Sequence, residues 1–278
     1  MVIEIVLSEN IGFCSGVLFA YKLSLKALKE EKEVYMLGEL VHNKDVNKEL
    51  SEKGLRVVKS VKEVPEGKTL ILPAHGARKE DVELGKRKNL KLIHATCPFV
   101  ERSLKIGREV LKKGNFLFIL GEKNHAEVRY LYSYLKNDRT FALGKEDEIP
   151  EVKGKVEVII QSTMSEDFYN LMKDRITKKN KIVTFHNTLC MESLKRQREV
   201  RKLSKRVDLL LVVGGLNSSN TKRLYEIGKM YTSAYHIENE KDIKPEWFEG
   251  VKVVGIVSGT STPMRIIERV KKRCLELQ

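Results

Sequence analysis

One local pattern occurs three times in this chain, and that repetition restricts the fold more than any other feature. An apolar run, Val2 to Leu7, leads through Ile11-Gly12-Phe13 to Cys14, and a helical pattern opens at Val17. Leu90-Lys91-Leu92-Ile93 leads likewise to Cys97, and Pro98 behind it suits a first helical turn. Ile182-Val183-Thr184-Phe185 leads to Cys190, with a long basic helix predicted from about Met191. Cys97 lies 83 residues after Cys14, and Cys190 lies 93 after Cys97. Counting 24 residues on from each cysteine reaches Gly38, Gly121 and Gly214, each closing an apolar run. Counting 28 reaches His42, His125 and Ser218, each just ahead of a second helical pattern. A third predicted strand per unit ends in Ala74-His75-Gly76, Gln161-Ser162-Thr163 and Ser258-Gly259-Thr260-Ser261. Three unrelated buried cysteines have no reason to keep that register; a structural repeat does.

Strands that alternate with helices predict an α/β chain with parallel sheets. The expected units are residues 14–96, 97–189 and 190–278, the last completed by the strand in residues 1–13. In open parallel sheets the ligand crevice lies at the carboxyl ends of the strands, and every motif position above falls at such an end. A pseudo-threefold arrangement therefore points three thiols, two or three imidazoles and a ring of hydroxyls at one centre. The helix start behind each cysteine favours its thiolate form. Gly214-Gly215-Leu216-Asn217-Ser218-Ser219-Asn220-Thr221 reads as an anion cradle of free backbone N–H groups and small polar side chains. Taken alone, His42 or His75 would be an ordinary polar residue and Glu127 a helix cap. The equivalent strand ends that His42 and His75 occupy weigh against that for the two histidines. Cys274 lies outside the register and reads as a spectator thiol.

Composition narrows the chemistry. Four widely spaced cysteines in 278 residues, with no Cys-x-x-Cys, exclude a secreted disulfide framework, zinc fingers and the usual ferredoxin spacing. Three thiolates hold either zinc or an iron–sulfur cluster short of its fourth cysteine, and ligand softness does not choose between them. The net charge of +14 fits a heat-adapted Lys/Glu surface, and equally an anionic substrate with an acidic protein partner. No aromatic-rich basic motif accompanies the charge, so nucleic acid is not expected. No run approaches the ~18 to 20 apolar residues of a membrane span, and no leader pattern precedes the first strand. A cytoplasmic protein is expected.

The motifs Gly12-Phe13-Cys14-Ser15-Gly16-Val17, Glu39-Leu40-Val41-His42-Asn43, Ala74-His75-Gly76, Ala95-Thr96-Cys97-Pro98, His125-Ala126-Glu127-Val128, Gln161-Ser162-Thr163, Asn217-Ser218-Ser219-Asn220 and Ser258-Gly259-Thr260-Ser261-Thr262-Pro263 together resemble the 4-hydroxy-3-methylbut-2-enyl diphosphate reductase family, which closes the non-mevalonate isoprenoid pathway. The resemblance runs in order along nearly the whole chain. It implies three similar α/β domains in a pseudo-threefold cloverleaf around a central [4Fe–4S] cluster. Cys14, Cys97 and Cys190 would each hold one iron, leaving the fourth open to the substrate hydroxyl. His42, His75, His125, Ser218, Ser219, Asn220 and Ser261 would grip the diphosphate. Glu127 with Thr163 and His125 would serve the proton transfers that release water. An acidic electron donor such as ferredoxin or flavodoxin would supply two electrons, giving isopentenyl and dimethylallyl diphosphate.

Three positions depart from the family pattern: His94 replaces an acidic residue, Ala126 a common Pro and Ser162 a frequent Thr. None removes a ligand or the acid. Two other readings use the same cysteines. A non-catalytic iron–sulfur sensor or RNA-associated regulator suits the charge but has no need of the imidazole and hydroxyl ring. A zinc hydrolase would purify colourless, whereas an iron–sulfur protein is brown with absorbance near ~400 nm.

Overall fold

The computed structural model describes residues 3–277. Met1, Val2 and Gln278, which the sequence reading placed in the opening strand segment and the closing tail, lie outside the described residues. In chain order the elements are β1 (Glu4–Leu7), α1 (Ser15–Glu30), β2 (Val34–Leu37), α2 (Lys44–Glu52), β3 (Leu55–Val58), β4 (Thr69–Leu72), α3 (Lys79–Arg87) and β5 (Lys91–His94). There follow α4 (Pro98–Lys112), β6 (Phe116–Leu120), α5 (Ala126–Leu135), β7 (Thr140–Leu143), β8 (Val156–Ile160), α6 (Glu166–Lys179) and β9 (Val183–Phe185). The chain ends with α7 (Met191–Leu203), β10 (Leu209–Val213), α8 (Ser219–Gly228), β11 (Ser233–Ile237), β12 (Val253–Ser258) and α9 (Met264–Glu276). Short 3-10 turns occur at Val61–Glu63, Glu240–Asp242 and Pro245–Phe248.

These strands form three four-stranded sheets, and every pairing is parallel. Their orders are β3-β2-β4-β5, β7-β6-β8-β9 and β11-β10-β12-β1. Read in this direction the sheets are equivalent, and the last strand of each runs on to a cysteine: β5 to Cys97, β9 to Cys190, β1 to Cys14. By internal contacts the chain falls into two compact units. One comprises the residues up to Leu18, Val41–Leu50 and those from Met191 on; the other comprises Phe19–Leu40 and Ser51–Cys190. The first unit contains the sheet built on β10 and β12, and the second contains the other two.

The inner strands read as continuous apolar runs because helices cover both of their faces. Along β10, Leu209, Leu211 and Val213 pack with Ile266, Ile267 and Val270 of α9. The alternate residues Leu210 and Val212 pack with Val200 of α7 and Leu224 and Ile227 of α8. In the other unit, Leu117 and Ile119 of β6 bury Val100, Leu104 and Val110 of α4 with Val128, Leu131 and Leu135 of α5. The sequence reading found three strands per repeat and missed the fourth, β3, β7 and β11. Each pairs on one side only; Arg56 and His236 interrupt the apolar residues of β3 and β11, and β7 offers only Phe141-Ala142-Leu143 after Thr140, so none has the long unbroken run that marks an inner strand.

The glycines that close the first inner strand of each repeat all have positive φ: Gly38 at 70°, Gly121 at 155° and Gly214 at 156°. Their surroundings differ. A Cβ on Gly38 meets nothing within 4 Å, whereas one on Gly214 falls 2.7 Å from Thr221 Oγ1 and 2.9 Å from Thr262 Oγ1. Gly38→Ala should therefore cost only the backbone penalty, about 1 to 2 kcal/mol. Gly214→Ala adds overpacking of about 1 to 3 kcal/mol. Thermal melts of the two variants should rank Gly214→Ala clearly below Gly38→Ala, and equal melting temperatures would contradict this reading of the repeat.

Candidate functional site

Each repeat cysteine is seated by the same contact. The amide N–H of Cys14 donates to Thr260 O (3.1 Å), that of Cys97 to Ala74 O (2.8 Å) and that of Cys190 to Ser162 O (2.9 Å). The acceptors are the equivalent residues just beyond β12, β4 and β8, the third strands of the three repeats. The residues that follow them are Ser261, His75 and Thr163, three of the side chains singled out from the sequence. Each cysteine also stands directly before a helix, α1, α4 or α7, where unpaired backbone N–H groups stabilise negative charge. Cys97 is the N-cap of α4, and Val17 N approaches Cys14 Sγ at 3.5 Å. All three are half-buried, and none of the chain's four cysteines is in a disulfide. Cys274 differs: it lies on the buried face of α9, wholly inside the core, and burial pushes its thiol up to about 12.

In the unit that holds β6 and β8, His125 caps α5, its Nδ1 accepting from Glu127 N at 3.2 Å. The cap is thus the histidine and not the carboxylate. Glu127 is buried, with 2% of its surface exposed. Ser162 donates to it twice, N–H to Oε1 at 2.8 Å and Oγ to Oε2 at 2.6 Å. Burial pushes the Glu127 carboxyl up to about 7, against the two bonds from Ser162, which pull it down. Ser162 therefore connects the acid to a cysteine seat, since its carbonyl accepts from Cys190 N. Thr163 instead accepts from Gln161 Nε2 (2.8 Å), and Gln161 Oε1 accepts from Glu122 N (2.9 Å), tying the strand ends of β6 and β8. The His75 turn is docked on α5: a Cβ on Gly76, φ 89°, would meet the Tyr130 ring at 2.4 Å. Lys79 N donates to Ser133 Oγ at 3.0 Å, and Tyr130 OH to Glu101 at 2.8 Å. His75 and the pair His125 and Glu127 are thereby carried by elements packed on each other.

In the unit that holds β10 and β12, Ser218 caps α8 by accepting from Thr221 N at 3.2 Å. Asn220 Oδ1 accepts from Ser193 Oγ at 2.8 Å, which turns its Nδ2 the other way. Among the described residues Asn220 Nδ2 and Ser219 Oγ are buried and have no hydrogen-bond partner. Unsatisfied buried donors are costly, and two of them at a helix N-terminus fit an anion with several acceptor oxygens. Ser261 Oγ lies 3.4 Å from His42 O, and a Cβ on Gly215 would fall 2.0 Å from that same carbonyl, so only glycine admits the close approach. His42, Ser218, Ser219, Asn220 and Ser261 thus cluster at the ends of β10 and β12. Arg196 of α7 is 3% exposed and holds the Cys14 turn in place. Its Nη2 donates to Gly12 O (2.8 Å), and its Nη1 to Ser258 O (2.9 Å) and Gly259 O (3.3 Å).

Sequence reasoning passed over Ser162 as the partner of Glu127, Gln161 as the tie between strands, and Arg196. Arg196 was hidden among the solvated cations of α7, and only its i,i+4 spacing from Val200, a core residue, distinguishes it. No three His, Cys, Asp or Glu side chains among the described residues are grouped to hold a metal ion. No helix among them is long and apolar enough to cross a membrane.

The LytB protein family model matches residues 5–275. A 4-hydroxy-3-methylbut-2-enyl diphosphate reductase of Aquifex aeolicus is 39% identical over 283 residues, covering 99% of this chain and 97% of the relative. One from Dictyoglomus thermophilum is 41% identical over 262 residues, covering 93% and 92%. A solved structure of (E)-4-hydroxy-3-methyl-but-2-enyl diphosphate reductase, described as the terminal enzyme of the non-mevalonate pathway, superposes with a TM-score of 0.74 at 38% identity and 99% coverage of both chains. The Plasmodium falciparum E-1-hydroxy-2-methyl-but-2-enyl-4-diphosphate reductase superposes with a TM-score of 0.91 at 26% identity, covering 98% of this chain and 88% of that one. By its sequence, its three equivalent sheets and its seated cysteines, the chain belongs to the LytB family.

Proposed function

We propose that the chain reduces (E)-4-hydroxy-3-methylbut-2-enyl diphosphate to isopentenyl diphosphate and dimethylallyl diphosphate. It is an oxidoreductase of isoprenoid biosynthesis. The observation that carries the mechanism is the buried Glu127: a carboxyl held near neutrality, and fixed by the serine whose carbonyl seats Cys190. A sensor or regulator has no use for such a proton donor.

Family membership implies an iron–sulfur enzyme. Cys14, Cys97 and Cys190 fit a [4Fe–4S] cluster as donors: three thiols outside any disulfide, half-buried, with equivalent backbone seats. When bound, the cluster supplies electrons and an open iron as Lewis acid. The chain's own residues do the rest. The partnerless donors Ser219 Oγ and Asn220 Nδ2, with Ser218, Ser261, His42, His75 and His125, hold the diphosphate and so fix where the allylic hydroxyl lies. Glu127, protonated, gives its proton to that hydroxyl so that it leaves as water. Ser162 aims the carboxyl, and Thr163, fixed by Gln161, serves the same end of the substrate. Domains spanning 14–96, 97–189 and 190–278 with 1–13 remain the proposed division of these roles.

Glu127→Gln retains size and hydrogen bonding but gives up the acidic proton. The variant should fold, retain its cluster and bind substrate, with turnover lowered roughly 10²-fold or more. Its pH profile is the sharper check. An acid whose pKa is raised to about 7 is protonated below that pH. Wild-type turnover should therefore fall as pH rises through about 7, and Glu127→Gln should lack that limb. A limb that persists in the variant belongs to another group.

Asn220→Ala removes a donor with no other partner. Calorimetry should show pyrophosphate bound about tenfold more weakly or worse, the usual scale for a hydrogen bond to a charged group, with cluster content unchanged. Undiminished affinity would take Asn220 out of the anchor.

A further inference from the structure

Helix α7 presents its exposed cations as a single row. Lys195, Arg198 and Lys202 follow at spacings of three and four residues, which places them on one face of α7; Arg206 lies in the turn just beyond its end, beside the same groove, and all four are exposed. Lys202 and Arg206 make no ion pair among the described residues. The other strongly basic helix of this unit, α9, is different: Arg265 pairs with Glu49, and Arg269 with Asp45 and Glu240. Lys195 does pair with Glu192 on its own helix (3.7 Å), but like charges at these spacings disfavour a helix, so Lys202 is set in the row at a cost to the helix.

The row walls a groove of about 340 Å³ whose floor is the end of β1 and the Ser8–Asn10 loop. Glu199, on the same helix, accepts from Glu9 N and from Asn10 N and Nδ2 (3.1 and 3.2 Å), so the loop is fastened to α7. Four residues beyond Asn10 comes Cys14. On the opposite side of the helix, Arg196 holds Gly12 and Ser258. One helix therefore offers cations to solvent with one face and clamps the turn of Cys14 with the other.

We propose that the α7 groove is the docking surface for a small acidic redox protein that delivers the reaction's electrons. This rests on the reductase reading. Each turnover needs two electrons and two protons: the allylic C–O bond breaks, the hydroxyl leaves with one proton as water, and carbon takes the other. The reaction is a net two-electron reduction, so two one-electron carriers, or one two-electron carrier, are oxidised per turnover. Electron transfer weakens steeply with distance, which favours docking over the segment that leads to a cysteine proposed to hold iron. Charge complementarity settles the class of partner. A cationic groove on a chain of net charge +14 attracts and orients an acidic surface.

The test compares the holoenzyme with its K195E/K202E/R206E variant, using photoreduced acidic [2Fe–2S] ferredoxin as one electron source and reduced methyl viologen as the other. With ferredoxin, kcat/KM should fall about tenfold or more and lose most of its dependence on ionic strength; with methyl viologen it should stay within about twofold. The milder K202Q/R206Q pair should show the same selective loss at smaller size. K105E/K112E/K113E on α4 changes the net charge equally and should leave the ferredoxin rate near wild type. The proposal fails if the α7 variants retain the ferredoxin rate, or if the α4 control loses as much. It fails also if α7 reversal releases only single-stranded RNA while ferredoxin-driven turnover is unmoved. Absence of turnover with methyl viologen in the wild type would instead sink the reductase reading itself.

Discussion

One hydrogen bond is made three times in this chain: a cysteine amide donates to the carbonyl just beyond the end of the neighbouring strand. It needs a parallel sheet whose outer strand delivers the cysteine and whose inner strand leads, two residues on, to the accepting carbonyl, with a polar side chain on the next residue. The equivalent orders β3-β2-β4-β5, β7-β6-β8-β9 and β11-β10-β12-β1 meet that need three times. The repeat in the sequence is the trace of this contact. Moving a cysteine by one residue would lose both the seat and the helix start behind it, and with them the place where a thiolate is favoured.

Around these seats the fold tolerates groups that a core would otherwise reject. Glu127 is removed from water, and its two bonds from Ser162 only partly offset the cost, so the carboxyl is held near neutrality. Ser219 Oγ and Asn220 Nδ2 are buried without partners. Both arrangements are unfavourable in isolation, and both lie among residues at strand ends. That is where local rules give way to function.

Much of this was legible because it is local. An apolar run, a cysteine and a helix start fall within a few residues, so β5, β9 and β1 could be found with the helices behind them, α4, α7 and α1. The glycines after β2, β6 and β10 were legible because a side chain is strained at positive φ. What stayed hidden depends on distant pairing. The edge strands β3, β7 and β11 have no long apolar run to mark them. Glu127 was read beside Thr163, yet its hydrogen bonds come from Ser162, because the direction a side chain takes at a strand end is set by packing. Arg196 looked like one more cation on a basic helix until the carbonyls of Gly12 and Ser258 closed on it.

The claim on which the account rests is that three cysteines, and not the fourth, hold the iron. Iron and sulfide analysis of the anaerobically reconstituted protein, read beside its electron paramagnetic resonance spectrum, tests it directly. Wild type and Cys274→Ala should each carry about four iron and four sulfide per chain, since Cys274 is a core thiol on the buried face of α9. Cys14→Ser, Cys97→Ser and Cys190→Ser should each lose most of the cluster. Full cluster content in any one of those three, or its loss in a folded Cys274→Ala, would contradict the account.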